Sequence, residues 1–283
     1  MNEELFQYEV ITGDELSAKA LIDIHAMCSI LSEFFDVPAC TFAKHGTIFT
    51  AALGKDTNES YLKAFDCDPL SAFNASVGFS STVDAETARH LQSYAIPMII
   101  APDFEDTAID LLTQDSETII VKLNTPLNSY KKFDVHTCFS TPLGEILKES
   151  KHKVELDKNT FKIATKTKPT TEQIEDAIFT WKISKHLAPT NVTVAKDFKT
   201  LSIFQSQSNA QTATEYALNF ACDSSKNAVL HISEDILTEG IIHAAAQARI
   251  GLIIYSGGEY TDIKAIQLAD KYEIAILTTG IKL

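Results

Sequence analysis

Apolar residues recur at helical spacing over residues 15–35, where Leu16, Ala20, Ile24, Leu31 and Phe35 share a face. That pattern predicts an amphipathic helix, followed by a short strand at Ala39–Ala43. Residues 84–94 read as helix, Met98–Ala101 as a buried strand closed by Pro102, 104–113 as helix and Thr118–Leu123 as strand. Residues 124–160 are polar and lysine-rich and lose this periodicity, so the boundary between two parts, 1–150 and 151–283, is placed there. The second part resumes the alternation. Strands are expected at Phe161–Thr165, Val192–Ala195, Leu201–Phe204, Val229–His231, Leu252–Tyr255 and Ile274–Thr278. Helices are expected at 169–186, where Thr170 and Thr171 mark the start, and at 209–222, 234–248 and 262–272. Alternation of this kind predicts an α/β fold with parallel or mixed sheets. The sequence has no short-period repeat.

Composition narrows the function classes. With 283 residues, 45% of them hydrophobic, the chain can bury one large core or two small ones. No window approaches the roughly 18 apolar residues of a membrane span. The start, Met1-Asn2-Glu3-Glu4-Leu5, lacks a signal-peptide pattern. A cytoplasmic protein without membrane partners is expected. The cysteines Cys28, Cys40, Cys67, Cys138 and Cys222 are scattered, as reduced thiols are. A net charge of −14 without a basic stripe argues against a nucleic-acid partner. Arginine occurs only at Arg89 and Arg249, so an anionic ligand would depend on lysine, backbone N–H groups and helix N-termini.

Three stretches carry candidate chemistry, each with an ordinary structural alternative. Lys44-His45, before Gly46, places a cation beside a proton-shuttling imidazole at a strand-to-loop junction, although any exposed Lys-His pair looks the same. Asp68-Pro69-Leu70-Ser71-Ala72-Phe73 joins a turn to an expected strand, and on its own reads as a helix-to-strand turn. Ser256-Gly257-Gly258-Glu259 lets backbone N–H groups approach an anion, but lacks both the dinucleotide and the P-loop signatures. The dispersed histidines suggest no metal site, and no nucleophile elbow is present.

The order of motifs gives a resemblance. Val37–His45 is similar to the strand and Lys-His segment of the AICAR formyltransferase family, the transferase part of the bifunctional purine-biosynthesis enzyme. Asp68–Phe73 resembles its D-P-x-S-A-F motif, Ile99–Pro102 its I-I-A-P, and Thr165–Thr170 its T-K-R-x-P-T. Asp176–His186 resembles D-L-L-F-A-W-K-V-x-K-H, Ile253–Gly258 resembles I-I-Q-P-G-G, and Leu277–Gly280 resembles V-F-T-G. The seven matches fall in family order along nearly the whole chain.

The resemblance implies two cytidine-deaminase-like α/β units in one chain, without zinc. It implies a homodimer with sites shared between subunits and 10-formyltetrahydrofolate as co-substrate. The family moves the formyl group to the 5-amino group of AICAR. By position, Lys44 and His45 take the catalytic places, and Asp68, Ser71, Phe73, Asn191, Gln207, Gly257 and Gly258 take substrate-binding places.

Other segments depart from the family. Gly46-Thr47-Ile48 replaces its proline and glycine, Thr190 stands where it has an asparagine (with Asn191 adjacent), and Ala210 stands at its arginine. The glycine-rich run is replaced by Ser202–Ala210, and the final histidine-arginine segment does not follow Gly280. These losses fall on phosphate, base and folate contacts. The expected function is therefore a divergent formyltransferase-family protein with impaired or altered activity and a nucleotide- or folate-like ligand. The alternatives are a conventional AICAR formyltransferase and a catalytically silent dimerisation or regulatory partner. A cleft filled by side chains such as Phe204 would favour the last.

Overall fold

Side-chain caps set most helix starts. Ser17 accepts from the Ala20 N–H and opens α1 (Ala18–Leu31). Asp56 opens α2 (Thr57–Cys67), Asp68 the single turn α3 (Pro69–Ala72), and Asp84 opens α4 (Ala85–Leu91). After α5 (Asp106–Thr113), Thr170 and Gln173 form a reciprocal capping box at the head of α6 (Thr171–Ser184). Asn209 caps α7 (Ala210–Ala221) and Thr238 caps α8 (Glu239–Gln247); α9 (Ile263–Lys271) follows. The computed structural model describes residues 6–13, 15–114, 117–132, 136–140, 146–150, 154–258 and 262–283.

The strands are β1 (Tyr8–Thr12), β2 (Ala39–Lys44), β3 (Thr47–Leu53), β4 (Ser76–Phe79), β5 (Met98–Ala101) and β6 (Ile119–Leu123). A separate hairpin, β7 (His136–Ser140) and β8 (Ile146–Ser150), comes next. Then follow β9 (Lys162–Ile163), β10 (Val192–Lys196), β11 (Lys199–Phe204), β12 (Val229–Ile232), β13 (Leu252–Tyr255) and β14 (Ala275–Thr278). Apart from that hairpin, they join one 12-stranded sheet in the order β1-β6-β5-β4-β2-β3-β11-β10-β12-β13-β14-β9. The segment 124–160, where a boundary between two parts is expected, lies between β6 and β9, and the strands of both parts join this sheet.

The two parts repeat one topology on either side of the β3–β11 junction. In each, a hairpin (β2–β3, β10–β11) pairs antiparallel with the next strand (β4, β12), two parallel strands follow, and a short antiparallel strand (β1, β9) closes the outer edge. Side-chain contacts repeat as well. Thr50 donates to the Ala64 carbonyl of α2, and Ser202 donates to the Ala217 carbonyl of α7. Ser80 and Ser233 accept from the first β2 amide, Ala39, and from Asn191, just before β10.

At the junction, backbone pairing is sparse, with Lys199 opposite Ala52. The Thr200 hydroxyl stands in for part of the ladder, accepting from the Ala51 N–H at 2.9 Å and donating to its carbonyl at 3.1 Å. Leu53 N–H donates to Phe198 O at one end, and Gln205 Nε2 to Ile48 O at the other.

Cores lie on both sheet faces. Ala39 and Ala43 pack with Met27, Leu31 and Phe179 from α1 and α6, whereas Cys40 and Phe42 pack with Tyr61 and Ala64 of α2, as strand alternation requires. Beyond the junction, Val194, Leu230 and Ile253 pack with α7, α8 and α9. None of the helices is long and apolar enough to cross a membrane, among the described residues.

Candidate active site at the β2–β3 turn

The turn between β2 and β3 consists of His45 and Gly46, with φ of 57° and 76°. Positive φ at both positions suits a tight hairpin turn. A side chain at Gly46 would also collide with Ile22, whose Cγ2 would lie 2.4 Å from the added Cβ. The Gly46 N–H donates to Asp23 Oδ1 at 2.6 Å, and Asp23 Oδ2 accepts from the Ser76 hydroxyl at 2.9 Å. Asp23 is buried on α1, whereas His45 is exposed and Lys44 half-buried.

Lys44 reaches the second motif directly: its Nζ donates to the Phe73 carbonyl at 3.1 Å. Asp68 accepts from Ser71 N–H at 3.0 Å, so this motif forms a capped helical turn, where the sequence reading expects a plain turn into a strand. Ser71 is half-buried. The cap leaves Leu70 87% and Phe73 58% exposed. Lys44, His45, Asp68, Ser71 and Phe73 thus come together at one end of the first half-sheet.

Across the junction, Gln205 links this end to the second half. Its Nε2 donates to Ile48 O at 2.8 Å, and its Oε1 accepts from Ala188 N–H at 3.0 Å. Gln207 donates its backbone N–H to Thr190 O at 3.1 Å and its Nε2 to Gln205 O at 3.0 Å. Beside it opens a cleft of about 360 Å³ lined by Ser208, Asn209, Gln211, Glu234, Ile236 and Thr238. Thr190 donates to Glu234 at its rim. Phe204 does not line this cleft; it packs against Tyr216 and Phe220 of α7.

Asn191 is placed differently from Thr190. Its side chain is buried, with Nδ2 donating to the carbonyls of Ser184 at 3.3 Å and Ala188 at 3.4 Å. The residue facing Glu234 at the cleft is therefore Thr190. Gly257 and Gly258 follow β13, away from Lys44. Gly258 donates to Asp262 Oδ2 at 2.9 Å, and an added Cβ there would sit 2.2 Å from the same oxygen. Asp262 also accepts from Tyr255 OH at 2.7 Å and from Leu237 N–H at 3.1 Å, which holds the 235–237 segment of the cleft wall. α8 begins at Glu239, after the Thr238 cap, and not at the expected 234. Glu259 lies outside the described residues. Among those residues, no group of three or more His, Cys, Asp or Glu side chains gathers as metal ligands.

A family model described as "AICARFT/IMPCHase bienzyme" matches residues 1–219. The chain belongs to this family. Members similar to it include the bifunctional purine biosynthesis protein PurH of Caldicellulosiruptor saccharolyticus, 34% identical over 274 residues. The PurH proteins of Thermoanaerobacter sp. (32% over 274 residues) and Petrotoga mobilis (33% over 279 residues) are similar too. Each alignment covers 97% of this chain but 52–53% of the relative, so the chain spans about half the length of these bienzyme proteins.

Two residues that bond to the elements around these motifs escape a reading by motif. Asp23 is visible only as a lone acid among Leu21, Ile22 and Ile24 on a predicted helix. Gln205 lies in a stretch that departs from the family pattern, and only strand pairing across the junction reveals its contact with Ile48.

Proposed function

We propose that this chain is a divergent formyltransferase, moving the formyl group of 10-formyltetrahydrofolate to the 5-amino group of AICAR, with weak nucleotide binding and slow turnover. The observation that carries this reading is the Lys44–Phe73 hydrogen bond, which joins the Lys-His and D-P-x-S-A-F segments beside an exposed imidazole. Family membership and the PurH relatives support the reaction class.

In the proposed reaction the AICAR amine attacks the formyl carbon. His45 takes the proton that the amine loses, and the bond from the formyl carbon to N10 of the folate breaks. Lys44 supports the developing negative charge and the proton delivered to N10, giving the formamide and tetrahydrofolate. Asp68, Ser71 and Phe73 shape this side of the site. Gln207, Thr190 and the Ser208–Thr238 cleft supply the nucleotide side, with the Gly257-Gly258 loop and Asn191 supporting the cleft wall.

The slow rate follows from the nucleotide side. The cleft presents Glu234 and polar neutral groups, with Ala210 at the family's arginine position. Charge-assisted contacts to phosphate are roughly twice as strong as neutral ones, so the nucleotide is loosely held. The cleft of about 360 Å³ gives the nucleotide a place to bind in this reading, and neither Lys44 nor His45 lines it. The two topological repeats support reading the chain as two cytidine-deaminase-like units, 1–150 and 151–283. The exposed Leu70 and Phe73 support a homodimer that covers them.

The test follows tetrahydrofolate formation with saturating AICAR and 10-formyltetrahydrofolate, using a Lys44→Ala/His45→Ala double variant as the blank. Slow turnover abolished in that variant is expected. Turnover of about 1 per second or faster, lost in the variant, would establish a conventional enzyme. Turnover equal to the blank would remove the transferase reading.

A further inference from the structure

We infer that Asp23 is a positioning residue that fixes the His45 turn against the Lys44–Phe73 contact; this rests on the formyl-transfer reading above. Asp23 is 9% exposed and sits on α1, not on either motif. One carboxylate oxygen accepts from the Gly46 N–H, inside the turn, and the other from the Ser76 hydroxyl, at the head of β4. Phe73, whose carbonyl holds Lys44, lies three residues before Ser76. A single side chain therefore ties the element bearing the proposed base to the element that orients its neighbouring cation. Hydrogen bonds to a charged acceptor are the stronger kind, and the Gly46 bond gives a turn amide its partner while the Ser76 bond is made by a side-chain hydroxyl.

The internal repeat supplies a control. Asp176 occupies the same position on α6: Asp23 lies five residues after Ala18, and Asp176 five after Thr171. It accepts from the turn amides of Asp197 at 2.9 Å and Phe198 at 2.8 Å. Lys196 likewise donates to a carbonyl, that of Lys226, at 3.1 Å. Supporting the hairpin is thus a common property of the repeat. The link to the following strand differs, because Val229 stands at the start of β12 where Ser76 starts β4. Asp176 gives both oxygens to its turn, whereas Asp23 divides its oxygens between the turn and the strand behind Phe73.

The test compares Asp23→Ala, Asp23→Asn, Ser76→Ala and Asp176→Ala in the full chain. Melting temperature, formyl-transfer kinetics and the His45 ring resonance, assigned with His45→Gln, are read for each. Asp23→Ala and Asp176→Ala should lower the melting temperature comparably. Asp23→Ala should lower kcat by about 100-fold with little change in KM, the loss that misplacing a group by about 1 Å produces. Asp176→Ala should stay within about threefold of wild type, and Ser76→Ala should fall between them. Asp23→Asn keeps an acceptor for Gly46 and should recover most of the loss. Equal kinetic losses in Asp23→Ala and Asp176→Ala would overturn the proposal. If Asp23→Ala does not fold, Ser76→Ala decides: an unchanged kcat overturns it. If wild type transfers no formyl group, the transferase reading falls and the His45 resonance decides on positioning. Broadening or displacement in Asp23→Ala and Ser76→Ala, but not in Asp176→Ala, supports it, and an unaltered resonance overturns it.

Discussion

Glu33 and His186 occupy the same place in the two topological repeats, and they bond to each other, with His186 Nε2 3.0 Å from Glu33 Oε1. Glu33 lies fifteen residues after Ala18, the first residue of α1, and His186 fifteen after Thr171, the first of α6. The pair marks where the repeats meet on the α1–α6 face, as Thr50 and Thr200, hydroxyls 3.3 Å apart, mark it within the sheet. Lys131 Nζ at 2.7 Å and Lys185 Nζ at 2.6 Å complete the shell of the Glu33 carboxylate, whose side chain is 1% exposed. Lys182 donates to the Glu33 carbonyl at 3.1 Å and lies over the Phe34 ring.

The first prediction concerns this hub. Burial alone would raise the Glu33 carboxyl pKa, but hydrogen bonds from His186, Lys131 and Lys185 outweigh it and hold the group down at about 2. Removing one partner of a buried ion pair costs up to about 3–5 kcal/mol where the other charge is left buried, as Lys185 at 10% exposure is here, whereas Lys131 at 32% can turn to solvent. Glu33→Gln should therefore destabilise the protein at pH 7, by no more than that amount. A depressed carboxyl stabilises above its unfolded pKa of about 4.3 and loses that contribution as pH falls toward 2. The wild-type advantage over Glu33→Gln, measured by denaturant melts, should be full at pH 6–7 and shrink below about pH 4.

His231 gives a second acid-sensitive site. It is buried on β12, and burial pushes its imidazole down to about 3. A histidine held neutral in the fold and free to protonate at about 6.5 in the unfolded chain stabilises the fold above 6.5. That contribution falls as pH drops from 6.5 toward 3. His231→Phe should flatten the stability curve over that window. Chemical denaturation of both proteins at pH 7.5 and 4.5 checks it: the wild type should lose more stability between the two pH values.

Much of the frame is legible in the sequence because it depends on local pattern. Met98–Ala101 and the run from Asp106 to Thr113 appear within a residue or two of the expected places, since apolar periodicity and caps are local signals. β3, β4 and α2 are harder to read. β3 carries Thr50 and small alanines, and its polar hydroxyl is buried by donating to Ala64 of a helix that follows. The Lys44–His45 and Asp68–Phe73 motifs are visible as strings, but their contact spans 29 residues and depends on the β2–β4 pairing. The internal repeat leaves almost no sequence trace, because equivalent positions keep a bond with a different residue, as Thr50 and Ser202 do in donating to a helix carbonyl.

Gly46 is the position where the turn leaves least freedom. Gly46→Ala places a Cβ at positive φ and against Ile22. Relative to a compatible site the substitution should destabilise by more than about 1 kcal/mol, with part of the strain relieved by displacement of the turn. A double variant with Ile22→Ala should recover the steric part and leave the backbone part. Thermal melts of the two single variants and the double variant separate the two contributions.

The homodimer has its own check. Leu70 on α3 and Phe73 just after it are exposed, and the Phe73 carbonyl accepts from Lys44. If a second copy covers them, light scattering at micromolar concentration gives twice the chain mass. A Leu70→Asp/Phe73→Ser variant should then shift the molecule toward monomer while leaving its helix content unchanged. A monomeric wild type would remove the shared-site part of the proposal.

The last prediction bears on why nucleotide binding should be weak. Glu234 lines the cleft, accepting from Thr190, and neither of the chain's two arginines lines it. A phosphate monoester carries close to two negative charges at pH 7. A unit charge about 6 Å from it in water-like surroundings repels it by about 1–1.5 kcal/mol. Glu234→Gln removes that repulsion and keeps an acceptor for the Thr190 hydroxyl. AICAR should then bind about five- to tenfold more tightly in low salt, by calorimetry. At 0.5 M salt the gain should shrink, because screening already weakens the carboxylate in the wild type. The nucleoside without phosphate should show little change between the two proteins. An equal gain for nucleoside and nucleotide would mean that Glu234 opposes the base or sugar, and that the phosphate is held elsewhere than in this cleft.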